Sequence, residues 1–351
     1  MERNNNGRLL AWGLALSIVG ICVTLVGFGR HFARDTRPRV TYEPPAYPQD
    51  DDLNSVEITT PFDDILNTTT GNAGSDDGEL HDARTKNDYY TLEEGFWAQS
   101  DTAHHDAYGM DIQTTFAIKY PKIKGDLKNA GKINEAIRSA AMVTVDRYFN
   151  NPSEDDINVV KRMTEDVDIN MGVSEGADAL LSSTVDYAVS YNDDNLLSVC
   201  FSDNYMIGNY YAEFLELRTV NINLETGETY VLDDVLTVDD SIANSFVNNL
   251  VRCTGEDSNE DGKITDDECF GVSLVGRDAL VQALQGKGEL VPNRVKTCLF
   301  IDGNGKPNLG VTYWLSKDDV GFTRGWWDVT ITDEQLAAAR KDSKLWELLG
   351  V

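Results

Sequence analysis

The fold is decided by the stretch Val185-Asp186-Tyr187-Ala188-Val189-Ser190-Tyr191-Asn192-Asp193-Asp194-Asn195-Leu196-Leu197-Ser198-Val199-Cys200-Phe201. Val185, Tyr187, Val189 and Tyr191 alternate with other residues, and so do Leu197, Val199 and Phe201. A period of two is the signature of a half-buried strand. The Asn and Asp residues between the two runs favour a turn, because their side chains bond nearby backbone N–H groups. The stretch reads as an antiparallel hairpin.

Downstream, residues 211–224 form another expected strand. Leu215 and Leu217 switch phase to Val220, Ile222 and Leu224, which predicts a bulge or bend. A turn at Thr226-Gly227 then returns the chain through residues 230–232. Ile242, Phe246 and Leu250 fall on one stripe, so residues 239–251 read as a helix with Asp239 or Asp240 near its start. Residues 279–284 suit a short second helix, and Gly271 interrupts any helix before it. Residues 295–301 and 309–315 are strands joined by Asp302-Gly303-Asn304-Gly305. Trp327, Val329 and Ile331 end the sheet, and Thr332 with Gln335 makes a capping box for a terminal helix. Upstream, Ile112, Thr114, Phe116, Ile118 and Tyr120 alternate until Pro121, and residues 127–149 follow with helical spacing. Strands and helices in unequal runs, joined by hairpin turns, define an α+β class with a mostly antiparallel sheet and packed helices.

Ahead of this block, residues 9–29 carry no charge over 21 positions. As a helix they would span roughly 32 Å at ~1.5 Å per residue, a bilayer core. They are expected to be an uncleaved signal anchor, a transmembrane helix following a cytoplasmic tail of residues 1–8. Counting Arg30, Arg34, Arg37 and Arg39 alone would place the C-terminal side in the cytoplasm. The short tail and a cysteine pattern suited to an oxidising compartment argue for the opposite, a large domain outside the cell. Residues 30–106 read as an acidic disordered linker. Positions 40–110 hold 16 Asp or Glu against only Arg84 and Lys86, with Pro44, Pro45, Pro48 and Pro61 breaking any period. The extracellular domain is expected over residues 107–351.

The whole chain has a formal net charge of -29, which excludes nucleic acid as a partner, since phosphate binding needs clustered Lys and Arg. Its histidines are His31, His81, His104 and His105. A domain starting at residue 107 would contain none, which excludes a Ser-His-Asp triad, an HExxH site and a His-bearing zinc centre within it.

One motif stands out. Residues 257–268 fit an EF-hand calcium loop, in which calcium takes about six to eight oxygens. Asp257, Asn259 and Asp261 would offer side-chain oxygens. Gly262 would permit the sharp turn, Lys263 would give its carbonyl, Thr265 its hydroxyl or a water, and Glu268 would close the site bidentately. Calcium is therefore the expected cofactor, in a structural role. Cys253 and Cys269 bracket the loop, and Cys200 and Cys298 lie on separate expected strands. These four are disulfide candidates whose pairing sequence alone does not fix; Cys22 lies in the membrane segment.

The ordered block resembles the domain of unknown function 3298 family, the RsiV-like extracellular domains. The carrying residues are Ile118-Lys-Tyr120-Pro121 through Gly125 with Ile133-Asn134-Glu135-Ala-Ile137, the Tyr187–Tyr191 and Leu197–Val199 hairpin, and the closing strands 311–331. The most specific match is Val220-Asn-Ile222-Asn-Leu224-Glu-Thr226-Gly227-Glu-Thr-Tyr230-Val-Leu232-Asp-Asp234-Val235-Leu236. Family members often carry Gly-Gly-Ala-His after the hairpin; this chain has Ile207-Gly208-Asn209-Tyr210-Tyr211. The first expectation is a membrane-anchored, non-catalytic bacterial surface ectodomain. Its ligand would be a lysozyme-like cationic protein, steered by acidic charge, or cell-wall glycan. Tyr210, Tyr211, Trp326 and Trp327 are candidate contacts if exposed. The competing expectation is a carboxylate-based cell-wall glycoside hydrolase, for which two suitably placed acids suffice. No motif singles out such a pair.

Overall fold

The computed structural model describes residues 90–165, 173, 176–208, 214–258, 262–288, 290, 295–317 and 321–351. The expected tail at 1–8, the expected anchor at 9–29 and residues 30–89 of the expected linker lie outside the described residues. No helix among the described residues is long and apolar enough to cross a membrane.

Strands β1 (Tyr90–His105) and β2 (Met110–Gly125) form a hairpin. Helices α1 (Ala130–Ala141) and α2 (Glu154–Glu165) follow, separated by a helical turn and a π-turn. β3 (Ala179–Asn192), β4 (Leu196–Gly208), β5 (Phe214–Asn223) and β6 (Thr229–Tyr230) complete a six-stranded sheet in sequence order. Among the described residues its only parallel pair is β2 with β3; the other neighbours are antiparallel. Helices α3 (Asp240–Thr254), α4 (Phe270–Val275) and α5 (Arg277–Leu284) come next. A three-stranded antiparallel sheet of β7 (Val295–Ile301), β8 (Pro307–Lys317) and β9 (Gly321–Thr330) follows. Helices α6 (Asp333–Ala339) and α7 (Lys344–Leu348) close the chain. The class is α+β with mostly antiparallel sheets.

The residues stack in four layers. α1 buries Ile133 and Ile137 against one face of the large sheet, in a core with Ile112, Phe116, Val185 and Phe201. The small sheet covers the other face of β4 and β5. Helices α3 to α7 cover the small sheet's far side, where Phe246, Leu280, Leu299, Val311 and Leu336 share a second core. The seam between the sheets is partly polar. Thr219 Oγ1 and Asn221 Nδ2 donate to the Leu299 carbonyl at 2.7 and 2.8 Å, and Ile301 N donates to Ser198 Oγ at 3.1 Å. These bonds satisfy buried polar atoms that would each be costly alone.

Four expectations change. β1 occupies residues expected in the linker, so the sheet reaches back to Tyr90 and does contain histidine. His105 Nε2 lies 2.9 Å from the Phe149 carbonyl, and His104 Nδ1 lies 3.1 Å from Asp111. β2 runs through Pro121 to Gly125, because β3 pairs with it only as far as Ile118. Past that point a residue without an N–H costs no ladder bond on the open side. β5 has no bulge: its register against β4 is continuous, and Leu217, Val220 and Ile222 are all buried because both of its faces are covered. The irregularity falls instead in β3, between Val189 and Tyr191. The expected single terminal helix is two, broken between Ala339 and Lys344.

Candidate metal centre

Helix α3 delivers the chain into the loop. Asp239 caps it by accepting from Ile242 N at 3.0 Å, as expected of an N-terminal acid. At its end Gly255 lets the loop fold back. A Cβ there would lie 2.6 Å from the Val251 carbonyl oxygen and collide with the Ile264 side chain. Ile264 packs onto the C-terminal core, and Glu256 N donates to the Glu268 carbonyl at 3.1 Å, so the two ends of the loop meet.

Within the loop, Gly262 N donates to Asp257 Oδ2 at 2.8 Å, with Gly262 at a φ of 78° that favours glycine. The Glu268 carboxylate is folded over the loop. Its Oε1 accepts from Ser258 N at 3.1 Å and Ser258 Oγ at 2.7 Å; its Oε2 accepts from Thr265 N and Thr265 Oγ1, both at 3.0 Å. Thr265 and Glu268 form a reciprocal capping box on the following turn. The Ser258 hydroxyl and the Thr265 donors hold the charged form, which lowers the Glu268 pKa to about 2.

Lys263 is exposed, and Asn259 and Asp261 lie outside the described residues. Within the expected set the structure pairs Gly262 with Asp257, and Thr265 with Glu268. Among the described residues no three His, Cys, Asp or Glu side chains converge into a metal-holding group. Gly271 does not interrupt the helix after the loop; α4 runs through it and ends at Gly276, where φ is 84°.

Arg277 was not legible as part of this region. Its Nε and Nη2 donate to the two Asp266 oxygens at 2.6 Å each, and its Nη1 reaches Asn248 Oδ1 at 2.9 Å. It thus ties α5 to the loop and to α3. The Arg277 fork lowers the Asp266 pKa. The only sequence signal was an arginine nine residues past the loop in a strongly acidic chain.

The four cysteines of the described region are free thiols. Cys253 is exposed on α3 with its Sγ toward Asn249, whereas Cys269 is buried in the core beside Thr254 Oγ1. The two thiols therefore point to different environments and do not bridge. Cys200 and Cys298 share the inter-sheet cluster with Ala188, Leu217 and Phe300, and burial raises both thiol pKa values, that of Cys298 to about 12. The aromatic candidates divide likewise. Trp326 packs into the inter-sheet cluster and Trp327 against the C-terminal core, while Tyr210 and Tyr211 lie outside the described residues.

Sequence reading also missed a buried ion pair. Arg218 Nη2 lies 2.6 Å from Asp203 Oδ2, and Ser183 Oγ donates to Asp203 Oδ1 at 2.7 Å. Arg218 Nη1 reaches Thr144 Oγ1 at 3.1 Å, joining β5 and β4 to the segment after α1. Burial pushes the Asp203 carboxyl up, and the Arg218 charge with the Thr144 and Ser183 hydroxyls pulls it back.

No family model matches the chain, and no curated protein matches it. Two solved structures are similar in outline. One is a domain of unknown function 3298 family member from Bacteroides fragilis, at 15% identity and a TM-score of 0.37, covering 74% of this chain and 96% of that one. The other is a protein of the same family from Pseudomonas aeruginosa, at 12% identity and a TM-score of 0.30, covering 72% and 95% respectively.

Proposed function

We propose that the chain is a membrane-anchored, non-catalytic ectodomain of the bacterial cell envelope, RsiV-like in kind, that binds a ligand at the cell surface and carries a structural calcium site. The observation that carries this reading is the order of segments: an uncharged 21-residue stretch, an acidic proline-bearing stretch, then the folded unit from Tyr90. Such an order holds a folded module away from a bilayer. The ligand is a cationic lysozyme-like protein or cell-wall glycan, and the acidic chain favours the former through long-range attraction.

The loop supports calcium through its donor chemistry. Asp257, Asn259, Asp261, Thr265 and Glu268 offer oxygen, and Lys263 offers its carbonyl, which suits a hard cation. The bond from Gly262 to Asp257 already closes the turn across the first and sixth positions. Binding would exchange some of the donors now on Glu268 for the ion.

Two measurements test the reading. A hundredfold excess of calcium over its Kd should stabilise the full chain by about 2.7 kcal/mol. Asp257→Ala combined with Glu268→Ala should erase that gain, and an unchanged Tm in calcium sinks the ion site. Binding to lysozyme and to peptidoglycan at low and high salt tests the ectodomain reading; no binding to either removes it.

A further inference from the structure

A cleft of about 310 Å³ opens beside the loop, lined by Asn248, Val251 and Arg252 of α3, by Gly262, Ile264 and Asp266, and by Arg277. That volume is at the small end of ligand sites, which run from about 300 to 1,000 Å³. Two arginines face one small space in a chain of net charge -29. Their states differ. Arg277 is committed to Asp266 and Asn248. Arg252 is exposed and makes one bond, from Nη2 to Asn249 Oδ1 at 2.6 Å. Its Nε, its Nη1 and the second Nη2 hydrogen therefore remain available to a ligand, enough for one bidentate edge. Among the described lining residues, Arg252, Arg277 and Asp266 sum to a single positive charge. Val251 and Ile264 give it apolar wall.

We propose that this cleft binds a short aliphatic monocarboxylate, such as the C-terminal residue of a peptide. Its carboxylate takes the Arg252 fork, and its alkyl part lies on Val251 and Ile264. The planar guanidinium matches a carboxylate bidentately, and the apolar wall rejects a more strongly hydrated anion. Asp266 disfavours a dianion by repulsion, although Arg277 offsets most of its charge. The held Arg277–Asp266 pair keeps the wall in place without a ligand, so little ordering cost remains on binding.

The test is calorimetric titration of the full chain with N-acetylalanine, with N-acetylalanine amide and with inorganic phosphate. The chain is first stripped of calcium with a chelator that is then dialysed away, so the result stands apart from the calcium reading. Saturable binding of the acid at millimolar concentration is expected, with the amide at least tenfold weaker and phosphate weaker than the acid. Arg252→Gln, at an exposed position, should weaken the acid at least tenfold at an unchanged Tm. Arg138→Gln, on the distant α1 surface, should leave binding unaltered. Equal affinity for acid and amide, tighter binding of phosphate, no saturable heat, or loss in both variants alike would overturn the proposal.

Discussion

Arg218 and Asp203 sit where the large sheet meets the segment after α1, and both side chains are buried. Removing one partner of such a pair strands the other charge in a dry site, which costs about 3–5 kcal/mol. Arg218→Met should therefore lower the urea midpoint by that equivalent, while the exposed Lys124→Met, which loses only a surface pair with Glu93, should shift it by less than about 1 kcal/mol. Two acids set opposite pH effects. Burial, with the nearby Asp302 charge, raises the Asp328 pKa to about 6. Its protonated form is favoured on folding, so its contribution is full below about pH 4 and is lost as pH rises through 6. Asp328→Asn should gain up to about 2–3 kcal/mol over the parent between those values and hold that gain above them. Glu268 behaves in the other sense: its depressed pKa gives stability that is present above about pH 4.3 and lost as pH falls through 2. Glu268→Gln should thus flatten the acid limb in a denaturation series taken without calcium. At this scale the acidic loop stands out in the sequence because its spacing is local. The Asp203–Arg218 and Asp266–Arg277 contacts do not, since each joins residues on separate elements and leaves no periodic trace.

At the scale of elements, Gly310 fixes how closely the two sheets approach. It faces β5 from β8, and a Cβ there would lie 2.6 Å from Leu217 Cδ2 and 2.7 Å from Cys298 Sγ. Gly310→Val should destabilise by about 1–3 kcal/mol through overpacking, read as a lower urea midpoint at unchanged m. The hairpin of β3 and β4 was legible because alternation and turn residues agree. Asp193 Oδ1 accepts from Asn195 N and Leu196 N at 2.7 Å each, the local bonding that its composition implies. β5 misled because a strand covered on both faces does not alternate, so apolar residues in both phases look like a bulge. β1 was invisible for the reverse reason. As the edge of the sheet it buries little, and its Glu93, Glu94 and Asp101 share the composition of the acidic stretch before it.

For the molecule as a whole, the class could be read from the chain, but the division into two sheets could not. The strands from 295 onward have the same alternation as the earlier ones, and nothing local says that they pair only with one another. The layering follows instead from side chains such as Thr219, Asn221 and Ser198, which bond across the seam. The hairpin of β1 and β2 has a mechanical consequence. Its mouth pairs Tyr90 with Gly125, and its rungs run without a register shift to His105 and Met110. A strand loaded at such a mouth opens rung by rung, since each hydrogen bond carries the force in turn rather than all together. With handles at Tyr90 and Gly125, force spectroscopy should record gradual yielding of β1 at low force, before any rupture of the cores behind it. A single high-force break would show that the strand is clamped. The hairpin then acts as a tensile fuse: a tug on the preceding chain is spent in peeling one strand, and the loop with its neighbouring cleft stays folded.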